Sequence, residues 1–301
     1  MKDGIGRSPM FYVGDKYKLI AEIRTHFPNH IGRLIEPFVG GGSVMMNVTA
    51  DSYLLNDIDT HVIGLHRMLC EYIGREQEFY ADAERIVDEY GLSFSYRSNP
   101  VPQEMRKAYP KTYFAKYNKE AYNRLKQGYI DGGQQDWLKL YVLLIYGFNH
   151  MLRFNGKGQF NLPVGNVDYN QNTHDALADY FHLLADRQVE WHNEDFRTFL
   201  RGIDYQEGDL VYLDPPYLIT FSEYNKLWNE DTERDLLNLL DELNAQGVRF
   251  AISNVTHHRG RTNEIFLEWS RQYHSYPIKS NYISFNDNSI KQSCEVLVTN
   301  F

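Results

Sequence analysis

Residues 209–217 read DLVYLDPPY. Leu210, Val211, Tyr212 and Leu213 form a short apolar run bounded by turn residues, the pattern of a buried strand in an α/β sheet. Pro215 has no backbone N–H and a fixed φ, so strand pairing stops there. Pro216 in turn holds Pro215 extended. The pattern predicts a stiff arm at the carboxyl end of a buried strand, carrying the Asp214 carboxylate, open backbone carbonyls and the Tyr217 ring. Such an arm suits a flat ligand with an amino group. The carboxylate and a carbonyl accept from the amine, and the ring stacks on the ligand's face. Read alone, the same letters fit a rigid turn in which Asp214 is a solvated cap.

Working outward, residues 33–47 read RLIEPFVGGGSVMMN. Leu34 and Ile35 begin a strand that runs through Pro37 and Phe38 toward Val39. Gly40, Gly41 and Gly42 make a turn, and Ser43 can cap a helix beginning with Val44, Met45 and Met46. Strand, glycine turn and helix N-terminus form a nucleotide-binding corner, where backbone approaches a ligand closely. The spacing matches neither GxGxxG nor the Walker phosphate loop, which favours an adenosine or amino-acid moiety over a diphosphate. Residues 53–59, YLLNDID, predict a second strand with Asp57 at its carboxyl end. An acid there accepts from ribose hydroxyls, or else caps the helix through Val62, Leu65 and Leu69. Val189, Glu190 and Trp191 read as a strand ending near Asp195 and Phe196. A helix over 231–245, a strand over 249–253, a helix over 263–271 and a strand over 294–301 follow. In an open parallel sheet ligands bind at the carboxyl ends of the strands. Gly40–Gly42, Asp57, Asp195–Phe196 and Asp214–Tyr217 all fall on that rim, and this convergence selects the ligand-gripping reading of Asp214.

Between about residue 68 and residue 150 strand signals vanish and the pattern turns helical. Residues 93–118 carry Arg97, Arg106, Lys107, Lys111 and Lys116 among tyrosines, and 137–148, WLKLYVLLIYGF, is apolar enough for a buried helix. In 149–165, NHMLRFNGKGQFNLPVG, aromatic runs flank Asn155-Gly156-Lys157-Gly158, a strong hairpin signal. A hairpin bearing Arg153 and Lys157 can enter a major groove and read base edges, or be an ordinary surface hairpin. Near the start, Gly14 allows a tight path and Lys16 sets a cation beside it.

The 301 residues suffice for two domains or for one with a large insertion. A hydrophobic content of 43% and a charged content of 24% place the chain among soluble globular proteins. The net charge of −9 argues against non-specific wrapping of long nucleic acid but not against a local basic face, expected around Arg97, Arg106, Lys107, Lys111, Arg153 and Lys157. Cys70 and Cys294 give neither a disulfide framework nor metal-ligand spacing, so a reducing cytoplasm and no metal are expected. No stretch is apolar enough to span a membrane, and no signal-peptide core is visible.

The set FYVGDK, EPFVGGGS, NDID, NEDF and LDPPY, in this order, resembles the Dam-type family of DNA adenine methyltransferases, the alpha group of the D12 class, over nearly the whole chain. The resemblance implies a Rossmann-like class I methyltransferase sheet with helices on both faces, plus a mainly helical target-recognition insert bearing a β-hairpin. It implies a catalytic, S-adenosylmethionine-binding domain from 1–67 and 166–301 and a DNA target-recognition domain from 68–165. It implies S-adenosyl-L-methionine as cofactor, double-stranded DNA as partner, and a cytoplasmic monomer that flips adenine out of the duplex. In this reading Asp214 and the Pro215 carbonyl accept from the target amine, Pro216 stiffens the arm and Tyr217 stacks on the flipped ring. Pro37, Phe38, Gly40, Gly41, Gly42 and Ser43 line the cofactor pocket, Asp57 holds the ribose, and Asp195 and Phe196 bracket the cofactor adenine. Tyr12 and Lys16 match the family's N-terminal aromatic and lysine. Arg153 matches the base-reading arginine of members that read GATC. Phe148 matches their intercalating aromatic, Asn149 the asparagine facing the orphaned thymine, and Met151 and Pro163 their apolar base contacts; Asn155 and Lys157 lie at the hairpin tip. Asp15 replaces a glycine of the family's WxGGK motif, and Phe11 stands where some members carry a guanine-reading lysine. Rival readings are a methyltransferase acting on another base or on RNA, and a non-catalytic DNA-binding protein retaining the fold.

Overall fold

The computed structural model of the chain describes residues 4–97, 100–220, 228–278 and 293–301. The chain divides into two compact units: one of Met1–Asp15, Gly40–Met46 and Asp59–Asp186, the other of Lys16–Val39, Asn47–Ile58 and Arg187–Phe301.

The second unit holds the sheet. Its strands are β1 (Arg33–Glu36), β2 (Ser52–Asn56), β3 (Val189–His192), β4 (Leu210–Leu213), β5 (Arg249–His258), β6 (Arg261–Thr262), β7 (His274–Ile278) and β8 (Cys294–Thr299). The spatial order is β3-β2-β1-β4-β5-β8-β7, with β6 folded back on β5. Strands β1 to β5 are mutually parallel, as the alternating pattern predicts. The sheet is nevertheless mixed rather than open and parallel, because β8 runs antiparallel to both β5 and β7. The order in which successive strands are added to the sheet reverses between β1 and β4, which makes that parallel pair the switch point where α/β sheets open a crevice.

Burial follows the sequence pattern. All four residues of β4 are buried. The helix Glu230–Ala245 turns Leu236, Leu237, Leu239, Leu240 and Leu243 into one core with Val211, Leu213, Phe250 and Ile252. At the opposite end from the carboxyl rim, Arg33 grips Asp209 with two parallel bonds, Nε to Oδ1 at 2.9 Å and Nη2 to Oδ2 at 2.6 Å, which locks the starts of β1 and β4 together.

The first unit is helical, as expected: Thr60–Glu71, Glu76–Tyr90, Gln103–Ala108, Tyr113–Asp131, Trp137–Tyr146 and Gln171–Ala185. Trp137–Tyr146 is its centre, with every residue from Leu140 to Tyr146 buried. Trp137 lies where a side chain at Gly64 would stand, so glycine is what lets that ring reach the helix Thr60–Glu71. Asp168, buried, accepts from Ser93 Oγ, Ser95 N and Ser95 Oγ at 3.0, 3.0 and 2.6 Å and pins the loop after Gly91.

The differences from expectation have local causes. Strand β1 ends at Glu36 because Pro37 cannot donate to the ladder. The helix after the glycines begins at Ser43 itself, with Met46 N donating to Gly42 O at 3.1 Å, so Ser43 is its first residue rather than its cap. The hairpin at 154–160 closes through an isolated antiparallel bridge between Phe154 and Phe160, without regular strands.

Candidate active site at the strand rim

Strand β4 delivers Asp214 to the carboxyl rim, where a Lys, a Tyr and a second carboxylate surround it. Lys16 Nζ lies 2.6 Å from Asp214 Oδ2 and 3.6 Å from Glu295 Oε1. The Tyr217 hydroxyl reaches Asp214 Oδ1 at 2.9 Å and Glu295 Oε1 at 3.1 Å. The Lys16 ammonium also stands 5.2 Å from the centre of the Tyr217 ring. Lys16 is only 3% exposed and Glu295 only 2%. A buried ammonium is tolerable only when its charge is met, and here two carboxylates meet it. Burial pushes the Glu295 carboxyl above its ordinary range; Lys16 pulls it back, Asp214 pushes it further up, and the Tyr217 hydroxyl lowers it.

Glu295 carries no signal that a search along carboxyl ends would find. It is the second residue of β8, and β8 is antiparallel, so its amino end lies on the rim where the parallel strands end. The register pairs Val255 with Glu295 and Ser253 with Leu297, while β4 pairs Leu213 with Ile252. Glu295 is thereby carried past the end of β4, beside Asp214. The signal that could have found it is the lone acid, Glu295, in the otherwise apolar run EVLV.

The neighbouring rim belongs to β1, β2 and β3. Asn56, buried at the end of β2, donates from Nδ2 to Pro37 O and to Glu194 O, both at 3.0 Å, and accepts from Glu194 N at 2.9 Å. Asn193 Nδ2 donates to Asp57 O at 2.8 Å and Ile58 O at 3.1 Å. These two amides, from the first residues of the NDID and NEDF motifs, tie the three strand ends together. Asp57 follows β2 as expected. It does not cap the next helix; Asp59 does, accepting from His61 N at 2.9 Å. Phe38 and Phe196 are 5.3 Å apart between ring centres, and Trp228 completes an aromatic cluster at 5.8 Å from each. The Trp228 indole donates to Glu233 at 2.6 Å, and the other Glu233 oxygen accepts from Asn254 and Asn263 at 3.0 and 2.9 Å. Asp195 stands next to this cluster in sequence, but its carboxylate caps the helix Phe196–Arg201 and pairs with Arg197 at 3.0 Å. Of the sequence-derived residues, this unit therefore holds Lys16, Pro37, Phe38, Asp57, Asp195, Phe196 and Asp214–Tyr217 on the carboxyl rim of one sheet.

The first unit holds the others. Gly40 and Gly42 adopt φ of +49° and +79°, which glycine alone takes up without strain. A side chain at Gly41 would stand 2.9 Å from Tyr12 Cβ, so Tyr12 packs on the glycine turn. His66, buried, holds that turn: its Nε2 donates to Gly40 O at 2.9 Å, and its Nδ1 accepts from the Tyr180 hydroxyl at 2.8 Å. Burial depresses the His66 pKa to about 4, the bond to Gly40 opposing the shift.

In the 148–163 region Phe148 is exposed, Asn149 is left-handed with φ of +54°, and Phe148 N donates to Pro163 O at 2.9 Å. Arg153 Nε donates to Asn161 O at 2.7 Å, and Asn155 Oδ1 accepts from Lys157 N and Gln159 N across the tip. Phe154 stacks on His61 at 3.9 Å, which anchors the hairpin base. Met151 is half-buried and Lys157 exposed. Phe11 is buried, with Arg7 over its ring at 4.5 Å and His150 at 5.3 Å. Of the cations expected to form a basic face, Arg97 is ion-paired to Glu84. Arg106 donates to Val101 O at 2.9 Å, and Lys107 and Lys111 are exposed.

A family model described as D12 class N6 adenine-specific DNA methyltransferase matches residues 12–283. The chain is 34% identical over 304 residues to the type II methyltransferase M.FokI of Planomicrobium okeanokoites, covering 98% of this chain and 43% of that protein. It is 32% identical to the modification methylase StsI of Streptococcus sanguinis, again over 98% of this chain and 43% of the relative. A DNA adenine methylase of Serratia marcescens is 27% identical over 282 residues, covering 91% of this chain and 90% of that protein. The chain thus spans less than half the length of the first two relatives. Among the described residues, no helix is long and apolar enough to cross a membrane.

Proposed function

This chain belongs to the D12 class of N6 adenine-specific DNA methyltransferases, and from that premise we propose that it methylates the exocyclic amine of a flipped adenine in duplex DNA, using S-adenosyl-L-methionine. The observation that carries the reading is the placement of Asp214, at the carboxyl end of β4 beside the switch point, with Lys16 and Tyr217 on its two oxygens.

The rim residues fit the donor by their chemistry. Asp57 offers an acceptor for ribose hydroxyls at the end of β2, and Phe38, Phe196 and Trp228 offer aromatic faces for an adenine. When bound, S-adenosylmethionine supplies an already activated methyl group. The protein's share is positioning and charge. Asp214 and the Pro215 carbonyl accept from the target amine and aim its lone pair, Pro216 keeps the arm extended, and Tyr217 stacks on the extruded ring. Asp195 and Phe196 bracket the cofactor adenine, with Trp228 beside Phe196 adding a further aromatic face.

Residues 68–165 lie within the helical unit and are assigned to target recognition. Arg153, Asn155 and Lys157 on the hairpin face base edges or phosphates, and Phe148, Asn149, Met151 and Pro163 contact the opened base pair. GATC or a related sequence is the site this assignment favours, with the chain acting as a monomer. Labelled methyl transfer to unmethylated plasmid DNA, mapped at single-base resolution, tests both halves. Methyl-adenine in GATC supports the chemistry and the hairpin assignment. Methyl-adenine elsewhere keeps the chemistry and removes the GATC reading. Label on cytosine or on RNA alone replaces the function.

A further inference from the structure

Glu295 is a buried acid that the proposed methyl transfer does not use. It sits one hydroxyl away from Asp214: the Tyr217 oxygen is 2.9 Å from Asp214 Oδ1 and 3.1 Å from Glu295 Oε1. Its other oxygen, Oε2, is buried and has no hydrogen-bond partner among the described residues. A buried carboxylate oxygen with no donor is costly unless a proton comes to it or to its mate. Among the described residues, the ionisable groups about it are Lys16, Asp214 and Tyr217, and the buried Tyr212 phenol also feels its charge.

We propose that Glu295 is a positioning residue that receives, through the Tyr217 hydroxyl, the proton released when adenine is methylated. The inference rests on the function proposed above. The reaction leaves a proton to dispose of. The N6 lone pair forms a bond to the methyl carbon as the donor's carbon–sulfur bond breaks, its electron pair staying on sulfur. N6 then carries a positive charge and still holds both of its protons. One N–H bond breaks toward Asp214, and its electron pair returns to nitrogen. Asp214 passes that proton to the Tyr217 oxygen while the tyrosine's own proton moves onto Glu295 Oε1. Asp214 is again a carboxylate, Tyr217 is again a phenol, and Glu295 ends neutral. The positive charge of the sulfonium and the negative charge of Glu295 vanish together, so the buried site stays balanced.

The direction of travel follows from the surroundings. Glu295 is more deeply buried than Asp214, and Asp214 pushes its affinity for a proton up. Lys16 Nζ lies 2.6 Å from Asp214 and 3.6 Å from Glu295, so its positive charge repels a proton arriving on Asp214 more strongly than one held by Glu295, and the proton moves on.

Glu295→Gln keeps the shape and the acceptor for Tyr217 but cannot take a proton; Tyr217→Phe keeps the ring and removes the bridge. With wild-type protein free of DNA and donor, isotope-edited infrared titration of the carboxyls shows one band titrating above the ordinary range. Glu295→Gln removes that band, and Tyr217→Phe moves it. In single-turnover transfer to unmethylated duplex DNA, Glu295→Gln binds the donor as wild type does, yet is slower by roughly a hundredfold, the low end of what a placed proton acceptor supplies. The wild-type rate falls as acid fills Glu295, and this limb disappears from the variant's pH profile. A wild-type rate and profile in either variant, or a band that neither variant changes, overturns the relay while leaving the methyltransferase reading intact. If wild-type protein that binds the donor transfers no methyl group to DNA, both fall, and the donor binding itself separates that case from a defective preparation.

Discussion

Asp214 owes its usefulness to what holds it. Lys16 and Tyr217 each occupy one of its oxygens, so the carboxylate is oriented before any ligand arrives. Asp214→Ala should abolish methyl transfer and leave donor affinity within a few-fold, measured by calorimetry; loss of both in a folded protein would make Asp214 a cofactor ligand. Arg153→Ala should relax sequence preference and cost roughly 1–3 kcal/mol against the correct site. An equal loss on every DNA sequence would make it a phosphate contact. His66 predicts a pH effect. Its folded pKa is about 4, below the ordinary value of 6.5, so the stability that the neutral ring contributes is present above pH ~6.5 and is lost as pH falls toward 4. That loss is on the order of 3 kcal/mol, and a denaturant series on wild type and His66→Gln should show it in the former only.

At the scale of elements, Glu233 joins a helix to the sheet. From the first turn of Glu230–Ala245 it accepts from Asn254 on β5, from Asn263, which caps the next helix, and from the Trp228 indole. Burial raises its pKa, and the bonds from Trp228, Asn263 and Asn254 lower it. Glu233→Ala should lower stability by about 3 kcal/mol, because two buried amides and a half-buried indole lose their acceptor. A shift in melting temperature no larger than that of an exposed glutamate variant would show that water replaces it.

What the sequence made legible divides along the same lines. β1, β2 and β4 were readable because their apolar runs are followed closely by Pro37, Asp57 and Asp214. β7 was not: HSYPI carries Pro277 and is largely exposed, and such a segment reads as loop until one sees that it lies at the sheet edge. The Asp214 arm was legible from its two prolines, whereas Glu295 and Trp228 depend on tertiary register and leave no local spacing. Asp195 shows the reverse: its position on the rim was readable, but its engagement with Arg197 and the helix cap was not.

On the scale of the molecule, a chain of net charge −9 must approach a polyanion through local cations. With Arg97 tied to Glu84, the remaining candidates are Arg106, Lys107, Lys111, Arg153 and Lys157. Each phosphate neutralised contributes a slope of about −0.9 in log affinity against log salt, so non-specific binding should show a slope no steeper than about −5. Filter binding across a salt series checks this, and a markedly steeper slope would reveal cations outside the group.

β8 follows β7 in the chain but lies between β5 and β7 in space. During vectorial synthesis on a ribosome, β5 emerges with one edge unmatched, and β7 emerges with nothing beside it to pair with. Both wait for β8 to slot in, and the strand that closes the gap is the one that brings Glu295 to Asp214 and Lys16. Closure of the sheet and assembly of the charge cluster are therefore one event. A nascent chain stalled before β8 has the lysine and the aspartate but lacks their partner acid.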